Sequence, residues 1–337
     1  MAKGEQVISV LDGQDISALT DGVCAGDRRA LARAITLIES TRDDHRVEAE
    51  ALLENLLPHT GGASRIGISG VPGVGKSTFI EAFGQNCIAA GHKVAVLAVD
   101  PSSRRSGGSI LGDKTRMEQL SRAPEAFIRP SPTAGTLGGV ARRTREVMLT
   151  CEAAGFDVLL IETVGVGQSE TAVADLVDMF VLLLLPGGGD ELQGLKRGIM
   201  ELADLLVVNK ADGDMVDSAH RSAAEYTNAV RLLHPTTSEW IPPVLTCSSL
   251  ENHGINKVRE TIAAYCEQSR GSGALDARRS DQARRWMWGE VDEHLLAAFQ
   301  RHDSVREMLA SLEQQVSLAE ITPSAAAKAL LNAFRRS

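Results

Sequence analysis

The sequence has few aromatic residues, which make up 4% of its 337 positions. Any core must therefore be built mainly from aliphatic side chains. Hydrophobic residues reach 43% in total, which is enough for a globular chain with one large core plus extra elements, or for two to three domains. We find no internal repeat that would indicate a solenoid.

Surplus positive charge and long apolar runs are also absent. The formal net charge is −9, which argues against a nucleic acid as the main partner. The longest purely apolar stretch near the middle, Met179 to Leu185, has the length of a strand and not of a bilayer span. The N-terminal stretch has no apolar signal segment and carries Glu5, Asp12 and Asp15. We therefore expect a cytoplasmic protein with no membrane partner.

Cysteine is scarce and unpatterned. The five cysteines are far apart, odd in number, and form no C-x-x-C pair. Such spacing predicts reduced, mostly buried thiols and gives no sign of a disulfide framework. They are Cys24, Cys87, Cys151, Cys247 and Cys266.

One glycine-rich stretch carries a complete phosphate-binding motif. Gly70 to Ser77 reads G-x-x-x-x-G-K-S, between an apolar strand run and a helical run. Glycines let backbone N–H groups wrap a phosphate at the positive end of the following helix. Lys76 adds a charge for the β- and γ-phosphates, and the Ser77 hydroxyl is a ligand for Mg²⁺. The predicted phosphate-binding residues are Gly73, Val74, Gly75, Lys76, Ser77 and Thr78.

Further apolar runs predict an α/β fold. They are near-continuous and alternate with helical patterns, which is typical of a mostly parallel sheet covered by helices on both faces, as in P-loop NTPases. Ligands of such sheets bind at the carboxyl ends of the strands. Besides the strand before the P-loop, the predicted strands are 93–99, 156–161, 179–185, 205–208 and 244–247.

The chain outside this region is predicted to be helical. Residues 1–62 are predicted to form an N-terminal helical extension, with a helix break around residues 40–44, and residues 63–267 to form the domain that carries the P-loop. A Gly-rich linker signal at 270–274 lies near the start of the C-terminal helical arm, 268–337. Because few helices of this arm can bury their apolar faces alone, we predict that it forms a homodimer.

Two motifs predict that the bound nucleotide carries guanine. Asn209-Lys210-Ala211-Asp212 follows a strand and reads N-K-x-D. A carboxylate at Asp212 can accept two hydrogen bonds from guanine N1–H and N2–H₂, a pair that adenine does not offer. The next strand is followed by Ser248-Ser249-Leu250, where a backbone N–H, that of Ser249, is expected to meet guanine O6.

Carboxylates at other strand ends are candidates for the metal side of the site. Glu162 begins E-T-V-G, where Gly165 N–H can meet the γ-phosphate. No glutamine follows Gly165 directly, so we predict slow intrinsic hydrolysis. Asp100 and Asp113 lie in a polar loop and are candidates for Mg²⁺ or water contacts, although either could simply cap a helix.

A second glycine-rich loop, 186–196, follows a buried strand. Gln193 and Lys196 within it could swing toward the nucleotide or toward a partner. A solvated turn without such a role is an equally good interpretation.

These motifs together resemble the MeaB/ArgK-type GTPases over nearly the whole chain. The resemblance rests on G-V-P-G-V-G-K-S, D-P-S-S, G-D-K-T-R-M, E-T-V-G-V-G-Q-S-E, P-G-G-G-D-E-L-Q-G-x-K and N-K-A-D. It implies a homodimeric GTPase that binds adenosylcobalamin-dependent methylmalonyl-CoA mutase, gates its cofactor loading, and protects or reactivates it through GTP hydrolysis. It also implies that Ser77, Asp113 and Glu162 are metal-side residues with Mg²⁺, and that 100–117 and 162–174 are switches.

Three other classes are weighed against this interpretation. A GTPase that delivers nickel or zinc would need a Cys/His cluster near the switches, and the sequence shows none. A small-molecule kinase does not fit N-K-A-D. A signal-recognition-type GTPase would carry a Met-rich, basic module, which the sequence lacks.

Overall fold

A seven-stranded sheet forms the centre of the protein in the computed structural model. The structure describes residues 13–40, 42–99, 117–130, 137–163, 169–187, 197–233 and 240–335. The strands run in the order β3-β2-β4-β1-β5-β6-β7, and each neighbouring pair is parallel. They are β1 Ser64–Gly70, β2 Val94–Val99, β3 Ala126–Pro130, β4 Val158–Thr163, β5 Met179–Leu184, β6 Leu205–Val208 and β7 Val244–Thr246.

The apolar runs of the sequence became the buried strands of this sheet. All residues of β4, β5 and β6 are buried, as expected for a parallel sheet that is covered on both faces. Strand β1 lies between β4 and β5, with Ile68 in register with Glu162 on one side and Val181 on the other. The α/β prediction with a mostly parallel sheet is confirmed, and the loop after β1 lies in the middle of the carboxyl edge.

Helices surround the sheet and extend the chain at both ends. A 3₁₀ turn, Leu57–His59, precedes β1, and another, Gly213–Met215, follows β6. The described α-helices are α1 Gly13–Cys24, α2 Arg28–Ile38, α3 Asp43–Leu56, α4 Lys76–Ala89, α5 Glu118–Arg122, α6 Leu137–Ala153, α7 Ser169–Ala174, α8 Arg197–Leu202, α9 Val216–Leu233, α10 Ile255–Gly271, α11 Ala274–Arg301, α12 Asp303–Ser317 and α13 Pro323–Arg335. Among the described helices, none combines the length and the apolar character that crossing a membrane requires.

The N-terminal helices pack on α6. The break expected around residues 40–44 separates α2, which ends at Ile38, from α3, which begins at Asp43. Asp27 caps α2, because its Oδ1 accepts hydrogen bonds from the backbone N–H groups of Arg29 and Ala30. A partly buried ion pair between Glu39 and Arg129 joins the end of α2 to β3.

The chain divides into two compact units within α11, the first ending at Arg279 and the second beginning at Ser280. The sequence placed this boundary after residue 267. In the structure, α10 continues to Gly271, and only Ser272 and Gly273 separate it from α11. The Gly-rich signal therefore marks a tight helix-to-helix turn, in which Gly273 has a φ of +76°.

The second unit contains most of α11 together with α12 and α13. Phe334 packs edge-on against Phe299 and His302, with ring centroids 5.4 and 5.2 Å apart. Val305 and Ala326 are buried. Several apolar side chains of α11 remain exposed, namely Met287, Trp288, Val291, Leu295 and Leu296.

Candidate nucleotide-binding site

The loop between β1 and α4 needs glycine at two positions for steric reasons. Gly70 has a φ of +154°, and a Cβ there would lie 2.6 Å from the carbonyl oxygen of Leu183. Gly75 has a φ of +95°, and its Cβ would lie 2.9 Å from Nδ2 of Asn209. Both positions exclude other residues, so the loop keeps the open backbone that a phosphate requires.

Lys76 lies across this loop. Its Nζ donates a hydrogen bond to the carbonyl oxygen of Gly70 at 2.8 Å. Burial lowers the pKa of Lys76, and the negative charges of Glu162 and Glu170 partly oppose that shift. A phosphate arriving at the loop would add negative charge beside the same amine and stabilise its protonated form.

Ser77 and Glu162 meet at the carboxyl edge of the sheet. The Ser77 hydroxyl donates to Oε1 of Glu162 at 3.2 Å, and Glu162 is buried at 9% exposure. Beside them, the Thr163 hydroxyl donates to Oγ of Ser69 at 2.9 Å, which ties the ends of β4 and β1 together. A hydroxyl and a carboxylate are hard oxygen ligands, so this pair fits Mg²⁺.

Asn209 connects the phosphate loop with the loop after β7. Its Nδ2 donates to the carbonyl oxygen of Val74 at 2.9 Å. Its Oδ1 accepts from the Ser249 hydroxyl at 2.7 Å and from the Ser249 N–H at 3.2 Å. Asn209 is only 2% exposed, so both ends of its amide are used inside the protein. The Ser249 N–H, expected at guanine O6, thus donates to Asn209 in this structure.

The rest of the N-K-x-D motif lies on the same edge. Lys210 adopts a φ of +60° and donates from Nζ to the carbonyl oxygen of Gly73 at 2.7 Å. The Ser248 hydroxyl donates to Oδ2 of Asp212 at 2.5 Å, which orients the carboxylate predicted to recognise guanine. Leu250 is exposed, and Thr78 follows Ser77 in the first turn of α4.

Comparison with known proteins decides the family. Residues 31–304 match the family described as methylmalonyl-CoA mutase-associated GTPase MeaB. The chain belongs to the MeaB family. A relative in Caulobacter vibrioides, whose name describes it as a GTPase, is 60% identical over 320 residues, covering 95% of this chain and 98% of the relative. The resemblance inferred from the motifs is therefore confirmed, as is GTPase activity.

Two further relatives extend the MeaB-family match. The mouse (Mus musculus) protein named methylmalonic aciduria type A homolog, mitochondrial, is 49% identical over 333 residues, covering 95% of this chain and 80% of that protein. The crystal structure of an LAO/AO transport system kinase is 37% identical with a TM-score of 0.76, and the match covers 98% of this chain and all of that one.

Several residues predicted for this MeaB-family site lie outside the described residues. They are Asp100, Asp113, Gly165, Gln193 and Lys196. Their roles stay predictions.

The structure places near Lys76 one further buried carboxylate that the sequence analysis did not single out as a site residue. Glu170 on α7 is 3% exposed, and its charge acts on Lys76. Its only sequence signal is its place at the end of E-T-V-G-V-G-Q-S-E.

Proposed function

We propose that this MeaB-family GTPase is a chaperone of adenosylcobalamin-dependent methylmalonyl-CoA mutase. In this proposal it gates the loading of the cofactor and protects or reactivates the mutase through GTP hydrolysis. Two findings support it. The Asn209 side chain is hydrogen-bonded both to Val74 in the phosphate loop and to Ser249 in the predicted base-recognition loop. Residues 31–304 match the family of mutase-associated GTPases.

GTP and GDP are the proposed ligands, together with Mg²⁺. The backbone of the P-loop and Lys76 would hold the phosphates, and Asp212 would recognise guanine. Ser77 and Glu162 would hold Mg²⁺, joined by Asp113 and Asp100. The metal would neutralise charge that develops on the phosphate oxygens.

Residues of this chain would have separate tasks during hydrolysis. Lys76 would stay protonated against the phosphates, where it stabilises the negative charge of the transition state. Glu162 would orient the metal or its bound water through the carboxylate that Ser77 contacts. We propose that the mutase completes the site by bringing Gln193 and Lys196 toward the nucleotide, which would explain why the intrinsic rate is predicted to be slow.

We further propose a homodimer formed through the exposed apolar side of α11. At about 100° per residue, Met287, Trp288, Val291 and Leu295 fall within about 100° of the helix circumference. Their side chains are exposed, Trp288 to 61%. A second copy would bury this stripe. Trp288→Lys should give monomers in sedimentation, whereas Leu232→Lys, which changes an even more exposed leucine on α9, should leave the dimer intact.

The proposed compartment is the cytoplasm. All five cysteines are free thiols, and four of them are buried. Burial raises the pKa of Cys87 and of Cys247 to about 12, so these thiols stay protonated and unreactive at neutral pH. This chemistry suits a reducing environment.

The test is GTP hydrolysis with and without purified methylmalonyl-CoA mutase. Wild type and Glu260→Gln, a change in an exposed Lys257–Glu260 pair, should both be stimulated and should both form a complex with the mutase. Glu162→Gln should lose the stimulation, because the amide is a weaker ligand for the metal. In the presence of this protein and GTP, loading of adenosylcobalamin into the apo-mutase should depend on GTP hydrolysis.

An unchanged rate together with the absence of a complex would refute the mutase as partner. The alternative function, delivery of nickel or zinc, predicts instead that the protein binds these metals stoichiometrically.

A further inference from the structure

Three donors from the loop after β7 share the amide oxygen of Asn209. Its Oδ1 accepts from the Ser249 hydroxyl at 2.7 Å, from the Ser249 N–H at 3.2 Å and from the Cys247 thiol at 3.4 Å. A carbonyl oxygen has two lone pairs, and a thiol is a weak donor. The hydroxyl makes a bond of ordinary length, whereas the N–H lies at the long end of the usual range. Of the two strong donors, the N–H is therefore the one that Asn209 can more readily release.

The loop that carries these donors is held in place by its own backbone. Ser248 and His253 exchange two backbone hydrogen bonds, at 2.9 and 3.0 Å. Gly254 closes the loop with a φ of +75°, and a Cβ there would lie 2.6 Å from a backbone carbonyl oxygen. Asn209 and Ser249 are only 2% and 7% exposed. Water therefore has little access to the Asn209 oxygen, and a donor that leaves this oxygen must be replaced from within the protein.

The nitrogen end of the same amide holds the phosphate loop. Asn209 Nδ2 donates to the carbonyl oxygen of Val74 at 2.9 Å. That carbonyl and the N–H of Gly75 belong to one planar peptide unit, in which they point in opposite directions. Gly75 is a predicted phosphate-binding residue, so the orientation of Asn209 determines where the Gly75 N–H points. A donor on Asn209 Oδ1 thus acts on both the base side and the phosphate side of the site.

We propose that the Ser249 hydroxyl is a positioning residue for guanine binding. When the Ser249 N–H turns to O6 of the base, the hydroxyl stays on Asn209 Oδ1 and holds the amide against the phosphate loop. Without the hydroxyl, guanine could take the N–H only by leaving a buried amide oxygen with a weak thiol donor. The hydroxyl itself touches no part of the nucleotide. The inference rests on the guanine site of the proposed function and is independent of the mutase as partner.

The test compares two nucleotides that differ at one atom. In 6-thio-GDP a sulfur replaces O6, and sulfur is a weaker hydrogen-bond acceptor than oxygen. The affinities of the full chain for GDP and for 6-thio-GDP are measured by isothermal titration calorimetry, with Mg²⁺ and without the mutase. Thermal unfolding of the nucleotide-free protein is measured alongside.

Three substitutions separate positioning from a general loss of stability. Ser249→Ala removes the hydroxyl, and Ser249→Thr keeps it. The control is Thr150→Val, which removes a buried hydroxyl from α6, where Thr150 donates to the carbonyl oxygen of Glu146 at 2.7 Å.

Ser249→Ala should lose about tenfold in affinity for GDP, the effect of leaving a buried acceptor without a strong partner. Its affinity for 6-thio-GDP should change much less, because the Ser249 N–H can then stay on Asn209. The nucleotide-free variant should melt close to wild type, since the N–H still satisfies the amide oxygen. Ser249→Thr should discriminate between the two nucleotides as wild type does, and Thr150→Val should leave both affinities unchanged.

Amide NMR of the wild type gives a second readout that needs no variant. GDP should shift the resonance of the Ser249 N–H more than 6-thio-GDP does. The side-chain amide resonances of Asn209 should stay nearly unchanged with either nucleotide, because its Nδ2 remains on Val74.

An equal loss of affinity for GDP and 6-thio-GDP in Ser249→Ala would make the hydroxyl a merely structural group and overturn the proposal. Unchanged GDP affinity in that variant would overturn it as well, and so would a Ser249 N–H resonance that does not respond to GDP. A wild type that binds ADP as tightly as GDP would instead refute the guanine site of the proposed function. Stimulation by the mutase plays no part in these measurements, so the two hypotheses can fail separately.

Discussion

Removing one partner of the buried ion pair between Asp178 and Arg279 should destabilise the first unit more than the loss of any other single charge pair that we describe. The Asp178 carboxylate is 1% exposed and accepts from Arg279 Nη2 at 2.6 Å and Nε at 2.8 Å. It also accepts from the backbone N–H of Arg65 at 2.9 Å. Arg279 donates in addition to the carbonyl oxygens of Gly61 and Ala63. The pair thus joins the start of α11, the start of β5 and the chain leading into β1.

The perturbation is Asp178→Asn, which preserves size and removes the charge. Breaking one side of a buried pair costs about 3–5 kcal/mol, because the remaining charge stays buried without compensation. The amide keeps one acceptor oxygen, and Arg279 keeps its two carbonyl partners, so we expect the lower end, about 3 kcal/mol. For a unit of this size, that corresponds to a fall in melting temperature of about 6–12 °C.

The assay is thermal unfolding followed by circular dichroism, with amide hydrogen exchange of β1 to assign the transition to the first unit. The matched control is Glu260→Gln, since Lys257 and Glu260 are 69% and 51% exposed and 4.0 Å apart. Such surface pairs contribute about 0–1 kcal/mol, so this variant should melt close to wild type.

A melting temperature of Asp178→Asn that equals the control would refute the reasoning, and so would a double variant with Arg279→Gln whose effect is the sum of the single ones. Coupled partners should instead show a clear interaction energy. GTP affinity below the transition should stay unchanged, because the pair lies at the amino edge of the sheet, opposite the P-loop.

Three further predictions concern the site and the thiols. Asp212→Asn should lose the preference for GTP and gain binding of xanthosine triphosphate, because the 2-oxo group of xanthine can accept a hydrogen bond from the new amide. Tight GTP binding that is retained, with ATP still excluded, would contradict the assignment of Asp212 to guanine recognition. GTP affinity should fall as pH rises through the pKa of Lys76. Burial lowers this pKa in the free protein, and the phosphate charge raises it in the complex, so that binding takes up a proton. A GTP affinity that does not change with alkaline pH would contradict this. A thiol reagent should modify Cys24 rapidly in the native protein and the four buried cysteines only after unfolding; rapid modification of a second thiol would show that the core is more open than described.

Much of the sheet could be predicted because its strands are nearly continuous apolar runs. Strand β3, Ala126–Pro130, escaped this reasoning for two reasons. It is short, and its sequence A-F-I-R-P contains an arginine and ends in proline. Both residues are tolerated because β3 is an edge strand, where proline need not donate to a neighbour and the arginine can reach Glu39 of the N-terminal helices.

The site could be predicted where chemistry dictates fixed local spacing. Lys76, Ser77, Asn209 and Asp212 belong to motifs in which the residue types follow from the ligand. Glu81 on α4 has no such signal, because the hydrogen bond that its Oε1 accepts comes from the backbone N–H of Gln119, a residue 38 positions away. Pairs this distant become visible only once the fold brings their helices together.

The two edges of the sheet show why the nucleotide site could be predicted from local motifs whereas the pairs of residues that are distant in sequence could not. A nucleotide site needs polar groups that can exchange partners, and at the carboxyl edge the Lys76 amine bonds to a loop carbonyl and the Ser77 hydroxyl to Glu162. Such groups stabilise the free protein only modestly, because they must be released to the ligand. The amino edge has no ligand to serve in this proposal, so Asp178 and Arg279 can be paired permanently and buried. If this division holds, substitutions at the carboxyl edge will change affinity more than stability, and those at the amino edge will do the reverse. The Asp178→Asn and Glu162→Gln variants, each measured for both quantities, test that separation directly.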